Sequence, residues 1–146
     1  MRLRTPGEKK AACLVALAML LIVLFFTYPF WGSTRIPFQG DVVNSDVTEL
    51  NFPLKVLYSR SLKSGALPLW TSEVGCGFPL LAEGQGGLLY PLNLLLYRFL
   101  SPIPAFNVSL ILSLTLTLMF SYLLFRLYGF SRAASLFSSV AFAFSG

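Results

Sequence analysis

Two long stretches without a charged residue most constrain how this chain can fold. Each has 21 residues, and they occupy positions 11–31 and 105–125 of the 146-residue sequence. At about 1.5 Å of rise per residue, an α-helix of this length spans roughly 30 Å, which is the thickness of the hydrocarbon core of a bilayer. The sequence therefore predicts two membrane-spanning helices.

A third apolar run at residues 133–146 has 14 residues, fewer than the roughly 20 that a span requires. We interpret it as the first part of a third span, so that the sequence would be the N-terminal part of a longer membrane domain. Only 12% of the residues are charged, about half the average of soluble domains. The basic residues are scattered, which argues against a nucleic-acid partner.

The charges also predict an orientation. Basic residues dominate the tail at residues 1–10 and the link at residues 126–132, whereas five of the six acidic residues lie within residues 32–104. Because basic segments stay in the cytoplasm, the positive-inside rule places the tail and the link there and residues 32–104 outside.

Two short helices are expected in this external segment. The first, at about residues 53–64, follows a capping-box pattern that starts at Asp46, and its apolar face favours a position along the membrane surface. We place Lys55 on its polar side. The second, at about residues 88–100, is apolar apart from Asn93 and Arg98, and we expect Arg98 to reach outward from it.

Three carboxylates, those of Asp41, Asp46 and Glu49, fall within nine residues soon after the first predicted span. Carboxylates can act as general bases or bind a divalent cation through oxygen. The chain has no histidine, so carboxylates are its candidate bases. The alternative for Asp46 is a purely structural role as a helix cap. The glycine-rich segment at residues 84–87 lacks the GK[ST] of a Walker A loop.

Several short motifs in a fixed order resemble the bacterial YfhO-type membrane proteins, which belong to the GT-C class of membrane glycosyltransferases. The resemblance covers roughly residues 30–146. The matching motifs are Gly40-Asp41, Ser45-Asp46 with Asn51-Phe-Pro53, Gly65-Ala-Leu-Pro-Leu-Trp70, Gly75-Cys-Gly-Phe-Pro79, Ala82-Glu-Gly-Gln85 with Tyr90-Pro91, and Gly129-Phe-Ser-Arg-Ala-Ala134 leading into Ala141-Phe-Ala-Phe-Ser-Gly146.

The resemblance implies an all-α, polytopic helical membrane protein with a GT-C-like N-terminal part and surface-lying helices on its external segment. It implies transfer of a sugar from a polyprenyl-phosphate-linked donor at the outer face of a bacterial cell membrane. Asp41 is then the first choice for the catalytic acid and Asp46 the second, with Mg²⁺ or Mn²⁺ as a cation that these two residues would hold. The candidate substrate-binding residues are Arg35, Glu49, Trp70, Glu83, Gln85 and Tyr90.

Two alternatives stay open from the residues alone. Arg35, Trp70 and Tyr90 also suit ordinary interfacial positions, where arginine and aromatic residues are common. The whole chain also suits a non-enzymatic polytopic membrane protein, such as an assembly factor or part of a transporter. In either case we expect its partners to be the lipid bilayer and the remaining transmembrane helices of the full-length chain.

Overall fold

The computed structural model describes residues 6–30, 36 and 46–145 of the chain. Within these residues the structure is all-helical, as the sequence predicts, and contains no β-strand; Thr71 and Phe78 form an isolated antiparallel bridge. The five α-helices are α1 (Pro6–Thr27), α2 (Phe52–Lys63), α3 (Pro91–Phe99), α4 (Pro102–Leu127) and α5 (Arg132–Ala143). The shorter elements are a π-helical turn at Val47–Asn51 and 3-10 turns at Tyr28–Phe30, Leu80–Ala82 and Gly84–Gly86.

One helix in the described part of the chain is long and apolar enough to cross a membrane. This helix is α4, with 26 residues, and it contains the second predicted span. The apolar stretch of α1, Cys13–Thr27, is shorter. These statements rest on length and composition, so several membrane crossings remain a prediction.

The chain divides into two compact units. The first comprises Met1–Pro29 and Ile111–Gly146. Its core consists of Met19, Val23 and Leu118. Hydroxyl groups on α4 donate to carbonyls of the preceding helical turn, as in the 2.7 Å bond from Thr115 to the carbonyl of Ile111. Such bonds satisfy a hydroxyl within its own helix.

The second unit, Phe30–Leu110, is built around the packing of α2 against α3. The rings of Tyr58 and Tyr97 lie edge to face, with centroids 5.5 Å apart. Leu54, Leu80, Leu88 and Ala105 complete the buried core around them. A core of its own gives this unit a defined shape on which functional side chains can be positioned.

The ends of α2 follow its sequence. Pro53 lies in the first turn, where its missing N–H is not needed. Gly65 follows the C-terminus with φ +79°, a left-handed conformation that glycine adopts without strain. The guanidinium of Arg98, which we expected to reach outward to the membrane surface, donates instead to the carbonyl of Leu62. This carbonyl in the last turn of α2 also accepts from the N–H of Gly65 over 3.1 Å, so Arg98 adds a second bond at the end of the helix.

Helix α3 begins later than the sequence analysis expects. The predicted start is residue 88, but the helix starts at Pro91. The preceding residues form a turn in which the N–H of Tyr90 donates to the carbonyl of Gly87 over 3.2 Å. Gly87 has φ +55°, which ends the preceding 3-10 turn, and proline is favoured at the first position of the helix.

Candidate functional site

Asp46 and Glu49 lie exposed at the π-helical turn that leads into α2. The capping-box prediction for Asp46 is wrong, because its side chain makes no capping hydrogen bond. A capping residue needs an extended backbone so that its side chain can turn back to the first free N–H groups. Asp46 is already helical, with φ −53° and ψ −26°. Its carboxylate is therefore not used as a helix cap.

Asp41 and Arg35 lie outside the described residues, so the structure does not test their predicted roles. Within the described residues, no group of three or more histidine, cysteine, aspartate or glutamate side chains is arranged to hold a metal ion. Because Asp41 lies outside the described residues, the Mg²⁺ or Mn²⁺ site expected at Asp41 and Asp46 stays a prediction.

A glycine-rich turn at residues 84–87 is held to the surface of α2 and α3 by side chains that donate to its carbonyls. Three consecutive carbonyls, two in the turn and one directly after it, each accept a bond from a side chain, and we call this arrangement the carbonyl clasp. Its bonds run from Lys55 Nζ to the carbonyl of Gly86, from Asn93 Nδ2 to that of Gly87 over 2.9 Å, and from Tyr58 Oη to that of Leu88.

The donors of the carbonyl clasp are themselves held in place. Ser109, near the start of α4, donates to Oδ1 of Asn93 over 2.8 Å. Ser59, one residue after Tyr58, donates to the carbonyl of Tyr97 over 3.0 Å. These bonds join α2, α3 and the beginning of α4 around the turn, so the position of the turn is determined by three helices.

The predicted position of Lys55 on the exposed side of α2 is wrong. We expected it on the polar side of α2, but only 8% of its surface is exposed. Its Nζ lies 5.3 Å from the centroid of the Tyr97 ring, which is a cation–π distance. Burial lowers the pKa of Lys55 from 10.5 to about 8. At pH 7 the side chain is therefore a buried ammonium.

A signal for this burial was present in the sequence. Lys55, Tyr58 and Ser59 are spaced i, i+3 and i+4, so they share one face of a helix. Leu54 and Leu57 place the apolar face next to them, and the structure buries Leu54 together with all three. The apolar pattern of Leu54, Leu57, Tyr58 and Leu62 predicts the buried face of α2, and the structure extends this face to Lys55 and Ser59.

Trp70 stands at the start of a tight turn closed by the bridge between Thr71 and Phe78. The indole packs against Gly77, where a Cβ atom would lie 2.4 Å from Cζ2 of Trp70. Trp70 as a whole is 61% exposed. Glycine at position 77 is therefore needed for this contact, and the exposed part of the ring remains open to a ligand or a membrane.

The other predicted substrate-binding residues flank the carbonyl clasp. Glu83 is half-buried and ends the 3-10 turn Leu80–Ala82, and Gln85 lies within the next turn, Gly84–Gly86. Tyr90 is partly exposed and immediately precedes α3. The fold thus places Glu83, Gln85 and Tyr90 along one short segment, whereas Asp46 and Glu49 stand at the beginning of α2.

Two further polar side chains of this unit lie at its surface. Arg60 forms an ion pair with Glu73 at 3.0 Å, and both side chains are mostly exposed. Exposed pairs of this kind add little stability. Cys76 is exposed, and it lies in the turn between Thr71 and Phe78.

Comparisons with family models, curated proteins and solved structures find no match to this chain. The resemblance to YfhO-type proteins therefore rests on the motifs in the sequence.

Proposed function

We propose that this chain is the N-terminal part of a polytopic, GT-C-like membrane glycosyltransferase of a bacterial cell membrane. In this proposal, residues 32–104 lie on the external face and take a sugar from a polyprenyl-phosphate-linked donor. The observation that carries it is the exposed pair Asp46 and Glu49 at the start of α2. These carboxylates belong to the compact unit Phe30–Leu110, whose last residues begin α4, the candidate membrane helix.

The exposure of Asp46 supports a chemical role because its carboxylate is not used for helix capping. In the proposed step, a carboxylate accepts the proton of the acceptor hydroxyl as the hydroxyl oxygen bonds to the anomeric carbon of the sugar. The bond from that carbon to the phosphate oxygen breaks, and the phosphate leaves with the electron pair. Asp41 remains the first choice for this base, and Asp46 is the second.

The experiment expresses the protein from its complete reading frame and isolates the membranes. Transfer is measured with a panel of polyprenyl-phosphate-linked hexoses that carry a radioactive sugar. We expect Asp41→Asn and Asp46→Asn, separately or together, to abolish transfer while the protein level is unchanged. Glu73→Gln is the matched control, since it removes an exposed carboxylate of the same unit that pairs with Arg60.

Transfer that survives in both asparagine variants would exclude these two residues as the base. Membranes that contain the wild-type protein but transfer no sugar from any donor of the panel would refute the proposal. That result would favour the non-enzymatic polytopic membrane protein.

A further inference from the structure

The most unusual charge in the described structure is the ammonium group of Lys55. It is almost fully buried, and the partners that the structure shows for it are the carbonyl of Gly86 and the ring of Tyr97. Neither partner carries a formal charge. An ammonium has three N–H donors, and a buried charge without a counter-charge is unfavourable. This group therefore gains free energy from an anion placed beside it.

A second buried group in the same cluster also lacks a partner. The hydroxyl of Tyr97 is fully buried and has no hydrogen-bond partner among the described residues. Burial, with a smaller contribution from Tyr58, raises its pKa well above the usual value, so the hydroxyl keeps its proton and can donate. A buried donor left unpaired is unfavourable, because it has lost its hydrogen bonds to water. Because Lys55 Nζ lies 5.3 Å from the centroid of the Tyr97 ring, these two donors belong to the same buried cluster.

We propose that Lys55 and Tyr97 form a binding site for a phosphate group, which enters beneath the glycine-rich turn at residues 84–87. A phosphate has several acceptor oxygens and negative charge, and it matches a site made of an ammonium and a hydroxyl donor. In the bound state, a phosphate oxygen replaces the carbonyl of Gly86 as the acceptor of Lys55. The turn can shift because three of its four residues are glycine.

Lys55 provides the positive charge of this site, and its neighbouring titratable groups are tyrosines and a glutamate. The ring of Tyr97 on α3 lies beside the Nζ of Lys55, and the ring of Tyr58 on α2 packs against that of Tyr97. Burial raises the pKa of Tyr58 to about 12. Glu83 and Tyr90 flank the turn on either side. Because both tyrosines stay neutral below pH 10, the charge beneath the turn follows the protonation of Lys55.

The source of the phosphate is either a lipid headgroup or free phosphate. The lipid source rests on the proposed function, in which it is the phosphate of the polyprenyl donor. Binding itself requires no sugar transfer, so the two proposals can fail separately.

The experiment uses the complete protein in phosphatidylcholine nanodiscs and ³¹P nuclear magnetic resonance. In one arm the probe is inorganic phosphate, and in the other it is polyprenyl phosphate incorporated into the nanodisc. We expect the wild type to bind in at least one arm at pH 7. Lys55→Met should weaken that binding about tenfold or more, and Tyr97→Phe about threefold or more. Lys63→Met is the matched control, because Lys63 is an exposed lysine at the end of the same helix.

The pH dependence separates a charge effect from a structural one. Above pH 8, phosphate binding to the wild type and to Lys63→Met should fall by up to about tenfold per pH unit, because Lys55 loses its proton. Lys55→Arg keeps its charge and should show no such fall. This variant and Tyr97→Phe also decide the question if Lys55→Met does not fold.

Binding of inorganic phosphate identifies a free anion as the ligand, and binding of polyprenyl phosphate alone identifies a headgroup. The inference is overturned if the wild type binds in neither arm, or if Lys55→Met or Tyr97→Phe binds like the wild type. Phosphate binding without any sugar transfer would support the site and refute the proposed function.

Discussion

The buried ammonium of Lys55 predicts an unusual dependence of stability on pH. Its pKa is about 8 in the folded chain and 10.5 in the unfolded one. Between these pH values the unfolded chain binds more protons, so the free energy of unfolding rises with pH. Most proteins gain no stability in this range. The increase should therefore identify Lys55.

The size of the increase follows from the two pKa values. At pH 7 Lys55 is protonated in both states, so its titration hardly changes the free energy of unfolding there. At pH 10 it is neutral in the folded chain and still largely protonated in the unfolded one. Between pH 7 and pH 10 this difference in protonation raises the free energy of unfolding by at most about 2.5 kcal/mol. Above pH 10 the raised pKa values of Tyr58 and Tyr97 act in the opposite direction, so the measurement stops there.

The assay is urea denaturation of the detergent-solubilised protein, followed by tryptophan fluorescence, at pH 7, 8, 9 and 10. The decisive quantity is the difference between wild type and Lys55→Met, since the titration of other groups cancels in it. Lys63→Met should retain the full increase because Lys63 is exposed. An equal increase in Lys55→Met, or no increase in the wild type, would refute the assignment of a buried ammonium.

Three further predictions concern other positions. Gly77→Ala should destabilise the turn at Trp70 by about 1–3 kcal/mol, because the new Cβ would overlap the indole and residue 77 has φ +119°. The control in the same denaturation assay is Gly84→Ala, since Gly84 has open space around it and no positive φ. Ser131→Ala should cost about 1 kcal/mol, because Ser131 caps the N-terminus of α5 with a 3.3 Å hydrogen bond; an unchanged unfolding midpoint would contradict that cap. Cys76 is exposed, so a membrane-impermeant maleimide should label it in whole cells if residues 32–104 lie outside; labelling only after the cells are broken would reverse the orientation.

The helical architecture could be predicted because hydrophobic periodicity and helix-ending residues act locally. The helix expected at residues 53–64 is observed at Phe52–Lys63, with Pro53 and Gly65 at its ends. The start of α3 could not be placed, because an apolar sequence alone does not distinguish a turn from a first helical turn. The turn at Gly87 and Tyr90 decides that boundary.

The candidate site was predictable only in part, because it depends on tertiary contacts and not only on local sequence signals. Exposed acids such as Asp46 and Glu49 can be identified as chemically available groups from residue type. The carbonyl clasp cannot, because its acceptors are backbone atoms about thirty residues away from two of their donors. Residue type also predicts that a lysine seeks water. Only tertiary contacts place Lys55 beneath a glycine-rich turn.

The carbonyl clasp has a consequence for how this protein can change during evolution. Its donors are side chains of α2 and α3, whereas its acceptors are carbonyls, which every amino acid possesses. A substitution at position 85 therefore leaves the bonds that hold the turn in place. Substitutions at Lys55, Tyr58 or Asn93 remove one of them. The donor positions on α2 and α3 thus hold the turn in place, whereas position 85 determines which side chain the turn presents. A new specificity can therefore arise at position 85 on an unchanged scaffold.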